Sequence, residues 1–317
     1  MKLYHNLSEF NPTIKAIVTV GTFDGVHIGH QELLSRIREL AQKEGGETVL
    51  LTFSPHPRIV LFPDDNDLKL LTTMEERIDR LEKSGLDHLI IHPFSVAFSR
   101  ITALEYVRDV LVNQIGVHKL VIGYDHHFGR NREGNLSRLK EMAPSYGFDV
   151  EEISAREIDD VNVSSTKIRN ALESGEIELA NEYLGYAYSV TGDVVEGDKI
   201  GRSMGFPTAN LKPLEATKMI PETGVYATIA VLNGTRYNSM TNIGYRPTVS
   251  AKGKPRIEVH IFDFEGDIYR STLTIEFEKR LRSEQKFENL AALKNQLEID
   301  AEHTRNFFAA GGAGIDT

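Results

Sequence analysis

The sequence contains no cysteine, which excludes disulfide bonds and thiolate metal sites. It also contains no run of about 20 apolar residues, the length that a membrane-spanning helix requires. The opening residues, Met1 to Asn6, lack the apolar core of a secretory signal peptide. These absences favour a cytoplasmic protein without a membrane partner.

Positive charge is also scarce. Lysine and arginine together number 36 against 46 aspartates and glutamates, and the formal net charge is −10. Nucleic acids and anionic membranes bind basic surfaces, so this balance argues against both as partners. A small anionic substrate needs only a local positive site, so the negative net charge does not exclude one. The 317 residues suffice for two hydrophobic cores, and the composition leaves a homo-oligomer open.

The most informative segment, residues 17–34, combines a strand, a glycine loop and a helix start. Ile17 to Val20 predict a buried β-strand, and Gly21 and Gly25 supply a loop that tolerates positive φ. The N-terminus of the following helix presents free N–H groups and a partial positive charge to an anion. His27 and His30 share one face of its first turn, where they could donate hydrogen bonds to a phosphoryl group. The alternative, two surface or capping histidines, is less favoured because two glycines and an apolar strand accompany them.

The spacing of apolar residues changes once along the chain. Through the first half, apolar runs at 48–53, 89–91 and 118–123 alternate with helical patterns, which predicts a doubly wound, mostly parallel, Rossmann-like sheet. From about residue 186 to 280, short β runs with glycine turns predict a small antiparallel barrel. We therefore predict domains at 1–184 and 185–308, with a last helix near 289–308 and a disordered tail at 309–317.

Three further loops of the first half carry polar side chains. His56 lies in a Pro-His-Pro turn after a strand, where open α/β sheets bind ligands, although a plain turn explains it equally well. Residues 124–135 hold two acids, two histidines and two arginines, and a metal site there is disfavoured because His126 and His127 are adjacent. Residues 163–169 direct hydroxyls and cations toward a helix start, or form an ordinary capped helix.

Two stretches of the second half are candidates for chemistry. Residues 197–210 form a glycine-rich run that is not a Walker A loop, and Thr208 and Asn210 offer oxygen ligands suited to Mg²⁺. The alternative is a glycine-rich hairpin. Glu258 alternates with apolar strand residues and so points away from the core, as a solvated glutamate would also do.

These motifs carry a resemblance. His27-Ile28-Gly29-His30 resembles the HxGH signature of the nucleotidyltransferase superfamily, and the surrounding run 21–31 resembles its version in the bacterial bifunctional riboflavin kinase/FMN adenylyltransferase family. Residues 163–169 resemble the second ATP signature of that superfamily, and residues 123–134 resemble a family loop in which His126 replaces the usual Phe. Residues 201–210 and 258–264 resemble the riboflavin kinase motifs, so that only the tail lies outside the resemblance.

The resemblance implies an α/β nucleotidyltransferase domain followed by a riboflavin kinase-like barrel. It implies that MgATP phosphorylates riboflavin to FMN in the barrel, and that a second MgATP adenylylates FMN to FAD in the first domain with release of pyrophosphate. Glu258 would be the general base of the kinase, and His27 and His30 would stabilise charge in the adenylyl transfer.

The remaining roles follow from the same resemblance. The residues implied for ATP and its phosphates are Gly21, Thr22, Phe23, Asp24, Gly29, Ser165, Thr166, Arg169, Gly201, Arg202, Gly205, Pro207, Thr208 and Asn210. Those implied for flavin are His56, Asp125, Phe128 and Arg282, with Thr208 and Asn210 also holding Mg²⁺. Two alternatives stay open, a monofunctional transferase and a catalytically silent flavin or nucleotide sensor, and the presence of the expected polar residues disfavours the sensor.

Overall fold

The computed structural model describes residues 1–12, 15–64, 67–123, 127–153, 163–197, 201, 204–245 and 255–312. The chain divides into two compact units, Met1–Ser165 and Thr166–Thr317. The domain boundary predicted between residues 184 and 185 stays a prediction.

The first unit is built on a six-stranded parallel sheet of order β1-β4-β3-β2-β5-β6. Its strands are β1 (Lys2–Tyr4), β2 (Ala16–Val20), β3 (Glu47–Ser54), β4 (His88–Pro93), β5 (Val117–Gly123) and β6 (Asp149–Ile153). Its helices are α1 (Ile28–Glu44), α2 (Pro57–Leu61), α3 (Met74–Lys83), α4 (Val96–Ser99), α5 (Ala103–Glu105), a π-helix (Tyr106–Ile115) and α6 (Leu136–Tyr146). Short 3₁₀ turns occupy Leu7–Glu9 and Arg130–Arg132.

The central strands of this sheet are buried on both faces, as their uninterrupted apolar runs predict. Ile17 packs in the core cluster that contains Leu34 and Ile37 of α1. Its neighbour Val18 packs in a different cluster, with Val107 of the π-helix. Because successive strand residues point to opposite faces, helices cover both sides of the sheet, and the predicted doubly wound fold is confirmed.

The strand order positions the HxGH segment. Both β3 and β5 pair with β2, so the chain leaves β2 toward one edge of the sheet and later returns to its other side. In open α/β sheets, such a switch point leaves a crevice at the carboxyl ends of the strands, where ligands bind. Loop 21–27 starts at the carboxyl end of β2 and leads into α1. The topology therefore places the glycine loop at this crevice.

The second unit contains a closed antiparallel barrel of order β10-β11-β8-β7-β12-β9. Its strands are β7 (Tyr188–Val195), β8 (Ala209–Pro213), β9 (Gly224–Leu232), β10 (Thr235–Gly244), β11 (Arg256–Ile261) and β12 (Thr272–Arg282). Helices α7 (Ser165–Ser174) and α8 (Ile177–Leu184) precede the barrel in the chain, and α9 (Leu290–Ala309) follows it. The predicted barrel and terminal helix are confirmed.

The structure adds elements that the sequence pattern did not predict. Strand β1 has three residues, too few for a periodicity, and β8 lies in a stretch interpreted only as a loop. One α-turn begins at Ala103 and continues as a π-helix to Ile115, where Gly116 ends it at a φ of 69°. Most of the tail predicted at 309–317 lies outside the described residues, since these end at residue 312. Within the described ranges, no helix combines the length and the apolar character needed to cross a membrane.

Candidate active sites

Loop 21–27 brings two imidazoles together at the start of α1. His27 is the N-cap residue, and its ring stacks on that of His30 with centroids 3.7 Å apart and planes 18° apart. The Phe23 ring also stacks on His30, with centroids 4.5 Å apart. Three stacked rings thus hold the imidazoles beside the free amides and partial positive charge of a helix N-terminus, an arrangement suited to an anion.

The environment of His30 favours the uncharged form of its ring. Burial lowers the pKa of His30 well below its ordinary value, and the adjacent His27 and Arg77 lower it further. Its Nδ1 atom is buried without a hydrogen-bond partner within the described part of the chain. A neutral imidazole retains one N–H donor and one acceptor nitrogen. The His30 ring therefore offers a hydrogen bond to an incoming group rather than a formal charge.

The segment before α7 packs against this loop. Ser165 Oγ donates to the Asp24 carbonyl oxygen at 3.0 Å. A Cβ atom at Gly29 would lie 3.2 Å from Cγ1 of Val163, so a larger residue would need the Val163 side chain to shift by a few tenths of an ångström. Farther along α7, Thr166 is exposed and Arg169 is half-buried, and their assignment to the phosphates stays a prediction.

The side chain of Asp24 is buried beneath loop 21–27 and is bonded within the first unit. It is 1 % exposed, and its carboxylate accepts hydrogen bonds from the backbone N–H groups of Leu71 and Thr72 at 3.0 and 3.1 Å. It also forms an ion pair with Arg77 at 3.3 Å. These contacts anchor the loop to the segment that leads into α3. Direct binding of ATP by this carboxylate stays a prediction.

Arg77 belongs to this site and was not predicted. Its guanidinium is 2 % exposed, and it donates to the Thr22 carbonyl oxygen at 2.9 Å as well as to Asp24. The sequence does contain a signal, because Arg77 lies four residues before the buried Leu81 on α3. A cation on the apolar stripe of a helix needs a buried partner, and the partner here is the loop that leads into α1.

The residues of the first unit that were predicted to bind flavin have different environments. His56 is the N-cap residue of α2, where its Nδ1 atom accepts from the Arg58 backbone N–H at 3.2 Å. Phe128 is 7 % exposed and packs on Tyr106 with ring centroids 5.3 Å apart, so its ring is part of the core of the unit. Asp125 and the neighbouring residue 126 lie outside the described residues. The flavin contacts of His56, Asp125 and Phe128 stay predictions.

In the second unit, one cavity of about 260 Å³ collects five predicted residues. They are Gly201, Thr208, Asn210, Glu258 and Arg282. Apolar side chains, including Phe206, Met240, Leu293 and Leu297, complete the lining. A cavity lined by both apolar and polar groups suits a planar organic ring that carries a polar chain.

Strand register explains how Glu258 reaches this cavity. Its neighbours Ile257 and Val259 are buried in the barrel core, whereas Glu258 is half-buried and lines the cavity. On the flanking strands its partners in register are Asn210 of β8 and Asn242 of β10. The predicted alternation of this strand is confirmed. It leaves a carboxylate flanked by two amides on the cavity wall.

A second cavity, of about 390 Å³, lies beside the first. Its lining includes Thr208, Phe264, Ile268 and Tyr269. Thr208 is thus common to both cavities.

Pro207 also lines the second cavity, and its carbonyl oxygen lies 2.8 Å from Nδ1 of His260, whose pKa is lowered by burial. Of the other predicted residues, Gly205 turns the chain at a φ of 89°, and Arg202 lies outside the described residues.

The position of Arg282 depends on a residue that the sequence interpretation missed. Its Nε and Nη2 atoms donate to the two carboxylate oxygens of Asp300 at 2.9 and 2.7 Å. Asp300 lies on α9, is 1 % exposed, and also accepts from Gln296. Because Leu293 and Leu297 of the same helix line the first cavity, this pair ties the helical wall to the strand wall.

Comparisons with known proteins agree over both units. A family model described as FAD synthetase matches residues 10–167, and one described as riboflavin kinase matches residues 184–308. The bifunctional riboflavin kinase/FMN adenylyltransferase of Pseudomonas fluorescens is 37 % identical over 306 residues, which are 96 % of this chain and 97 % of the relative. The enzyme of the same name from Bacillus subtilis is 36 % identical over 298 residues, 93 % of each chain. A crystal structure described as a macrolide-efflux protein from Streptococcus pneumoniae superposes with a TM-score of 0.87 at 32 % identity, covering 96 % of this chain and 98 % of that one.

Proposed function

The chain belongs to the family of bifunctional riboflavin kinases/FMN adenylyltransferases, and we propose which of its residues carry each of the two reactions. Its activities are the phosphorylation of riboflavin to FMN and the adenylylation of FMN to FAD. Riboflavin, FMN and ATP are accordingly its substrates, and FAD is the final product.

The kinase reaction is proposed to run where the two cavities of the second unit meet. The isoalloxazine ring would lie in the cavity that Glu258 and α9 line, and the nucleotide in the neighbouring cavity. The observation that carries this proposal is that Thr208 lines both. A phosphoryl group that leaves one ligand for the other must pass between the cavities, and Thr208 stands at that passage. Pro207 lines the nucleotide side, and Gly201, Gly205 and Arg202 would contribute to nucleotide binding as in the family motif.

Glu258 is the proposed general base. A terminal ribityl hydroxyl attacks the γ-phosphorus of ATP, an oxygen–phosphorus bond forms, the bond to the β,γ-bridging oxygen breaks, and ADP leaves. The hydroxyl proton passes to Glu258, whose carboxylate lines the flavin cavity. Because phosphoryl transfer depends mostly on positioning and charge neutralisation, the flanking Asn210 and the anchored Arg282 matter as much as the base.

The residues of this site fit the Mg²⁺ that accompanies ATP. Thr208 and Asn210 supply a hydroxyl and an amide oxygen to one cavity, and these are hard ligands of the kind Mg²⁺ accepts. Among the described residues, no group of three or more His, Asp or Glu side chains could form a dedicated metal cage. That donor set suits an ion bound mainly by phosphate oxygens and water, which would neutralise charge on the transferred group.

The adenylyl transfer is proposed to use the N-terminus of α1. An oxygen of the FMN phosphate attacks the α-phosphorus of a second ATP, a phosphoanhydride bond forms, and pyrophosphate leaves. The nucleophile is already an anion, so a strong base is unnecessary. His27, His30 and Ser165, together with the positive end of the α1 dipole, would stabilise the developing charge.

The remaining assignments of the first unit follow the family motifs. Thr166 and Arg169 would also bind phosphate oxygens of ATP. The flavin contacts assigned to His56, Asp125 and Phe128 belong to the same proposal.

We also propose that the enzyme works on small molecules in the cytoplasm, and the net charge of −10 supports the part of this proposal that excludes nucleic acid and anionic membranes as partners. A homo-oligomer is compatible with it. Incubation of the protein with riboflavin, ATP and Mg²⁺, followed by separation of the flavins, tests the proposed function. FMN and FAD together support it. FMN alone would indicate a monofunctional kinase, and neither product would indicate a sensor.

A further inference from the structure

Among the described residues, the largest fully buried side chain outside the proposed chemistry is that of Arg77. A buried ion pair such as the one with Asp24 is costly to desolvate and persists only where further hydrogen bonds satisfy both partners. Arg77 donates to the Thr22 carbonyl oxygen at 2.9 Å, and its Nε atom lies 3.4 Å from the Thr72 hydroxyl. These bonds join the guanidinium to loop 21–27 and to the segment that supports it.

Thr72 closes the network on the loop itself. Its hydroxyl oxygen accepts from the Gly25 backbone N–H at 3.1 Å and lies 3.3 Å from the Asp24 carboxylate. Arg77 and Thr72 together therefore hold the carbonyl of residue 22, the carboxylate of residue 24 and the amide of residue 25. These two side chains thus bind three of the seven residues of loop 21–27.

The loop needs that support because its backbone is strained. Phe23 and Val26 have φ values of 49° and 37°, although neither is glycine. A left-handed conformation is unfavourable for a residue with a Cβ atom, and it persists only where the surrounding structure imposes it. Phe23 is also the residue whose ring stacks on His30. The strained residues and the stacked imidazoles are thus parts of one arrangement.

We propose that Arg77 is a positioning residue for adenylyl transfer, which clamps the strained loop 21–27 so that the imidazoles of His27 and His30 face the phosphates of ATP. This inference rests on the proposed function of the first unit. Arg77 itself touches no substrate, and its effect passes through Thr22 and Asp24. The charge of Arg77 also favours a neutral imidazole at His30, since Arg77 is one of the groups that lower the pKa of His30.

The variant Arg77→Lys tests the clamp, because it keeps the charge and removes the planar fork that reaches two acceptors. The rate constant kcat for conversion of FMN to FAD should fall about 10- to 100-fold, as expected when reacting groups are displaced. The KM for ATP should change less than about threefold, and the conversion of riboflavin to FMN by the same molecules should stay unchanged. The matched control is Lys83→Gln, an exposed residue of the same helix whose loss should leave both activities intact.

A second measurement does not depend on activity. Hydrogen exchange of the backbone amides in residues 21–27 should accelerate at least about tenfold in Arg77→Lys, while the amides of strand β3 keep their protection. If Arg77→Lys does not fold, Thr72→Val provides the milder variant and should give the same pattern at smaller amplitude. Unchanged exchange in the loop, or a rise in KM with an unchanged kcat, would overturn the proposal. Failure of the unmodified protein to form FAD would instead overturn the proposed function, and the exchange measurement would still decide the role of Arg77.

Discussion

Glu258 of β11 lies directly opposite Asn210 of β8, and both side chains line the same cavity of the second unit. This register relationship places a proton acceptor beside an amide oxygen suited to Mg²⁺. The proposed base and the proposed ion ligand are therefore set by one pair of strands, so that a slip of one residue in either strand would turn its side chain toward the barrel core.

Replacement of Glu258 by Gln should stop the kinase step alone. The amide keeps the size and the polarity of the side chain but cannot accept a proton at neutral pH. Loss of a general base typically lowers kcat about 10²- to 10⁴-fold, and the rate of FMN formation should fall within that range. Separation of flavins after incubation with riboflavin and ATP measures it.

The two-site arrangement supplies the controls for this variant. FMN supplied directly to Glu258→Gln should still become FAD, and Glu302→Gln, at an exposed glutamate of α9, should leave both steps unchanged. Loss of both steps in a folded Glu258→Gln protein would contradict the model of two sites.

His30→Ala should produce the reverse pattern. The change removes a neutral hydrogen-bond donor from the helix N-terminus and one ring from the stack with Phe23 and His27. Loss of one such donor to a transition state lowers kcat by about 10²–10³. FAD formation from FMN should fall by this factor while riboflavin is still phosphorylated. His118→Ala, at a partly exposed histidine of the same unit, is the control. An equal loss in the control would show that the assay reports stability rather than chemistry.

The ion ligands can be tested by titration. Asn210→Ala removes the amide oxygen proposed to bind Mg²⁺, so FMN formation should need a higher Mg²⁺ concentration for half of its maximal rate. The Mg²⁺ dependence of FAD formation from FMN should not move, because that reaction belongs to the other unit. Chelation of divalent ions should stop both. An unchanged Mg²⁺ dependence of FMN formation in Asn210→Ala would assign the ion to other ligands.

The sequence predicted those parts of the molecule where a local pattern carries the information. The strand, glycine loop and helix start around His27 are contiguous, and the alternation around Glu258 fixes which face it occupies. Arg77 and Asp300 were not predicted because each forms an ion pair with a residue distant in the chain, at separations of 53 and 18 residues. A charged residue on an apolar stripe signals that a partner exists, but only the fold identifies it.

The buried ion pair of Asp300 should contribute more to the stability of the second unit than an exposed ion pair does. Removing one partner of a buried ion pair leaves an unpaired charge, which typically costs about 3–5 kcal/mol. Asp300→Ala leaves the guanidinium of Arg282 without its carboxylate partner, so the melting temperature of the second unit should fall. Glu298→Gln, which breaks an exposed pair with Lys294 on the same helix, should change stability by less than about 1 kcal/mol. Thermal unfolding followed by circular dichroism measures both, and equal effects would mean that the Asp300 pair is no more important than a surface pair.

Glu278 on β12 should make the second unit less stable as the pH rises. Burial, and then the neighbouring Glu276, raise the pKa of Glu278 from 4.5 to about 7 in the folded protein. Between these two values the unfolded chain has released the proton and the folded chain has kept it, so the folded state binds more protons. By linkage, the free energy of unfolding must then fall as pH rises through that window and level off above about pH 7.

The variant Glu278→Gln isolates this contribution, because its amide cannot titrate. Its advantage in stability over the native protein should grow from none near pH 4.5 to about 1–2 kcal/mol at about pH 8, a value discounted for the partial exposure of the side chain. Denaturant unfolding at several pH values measures this difference, with the exposed Glu265→Gln as control. If the stability curves of the native protein and of Glu278→Gln run parallel across that pH range, Glu278 ionises normally, because only a raised pKa makes the two curves diverge.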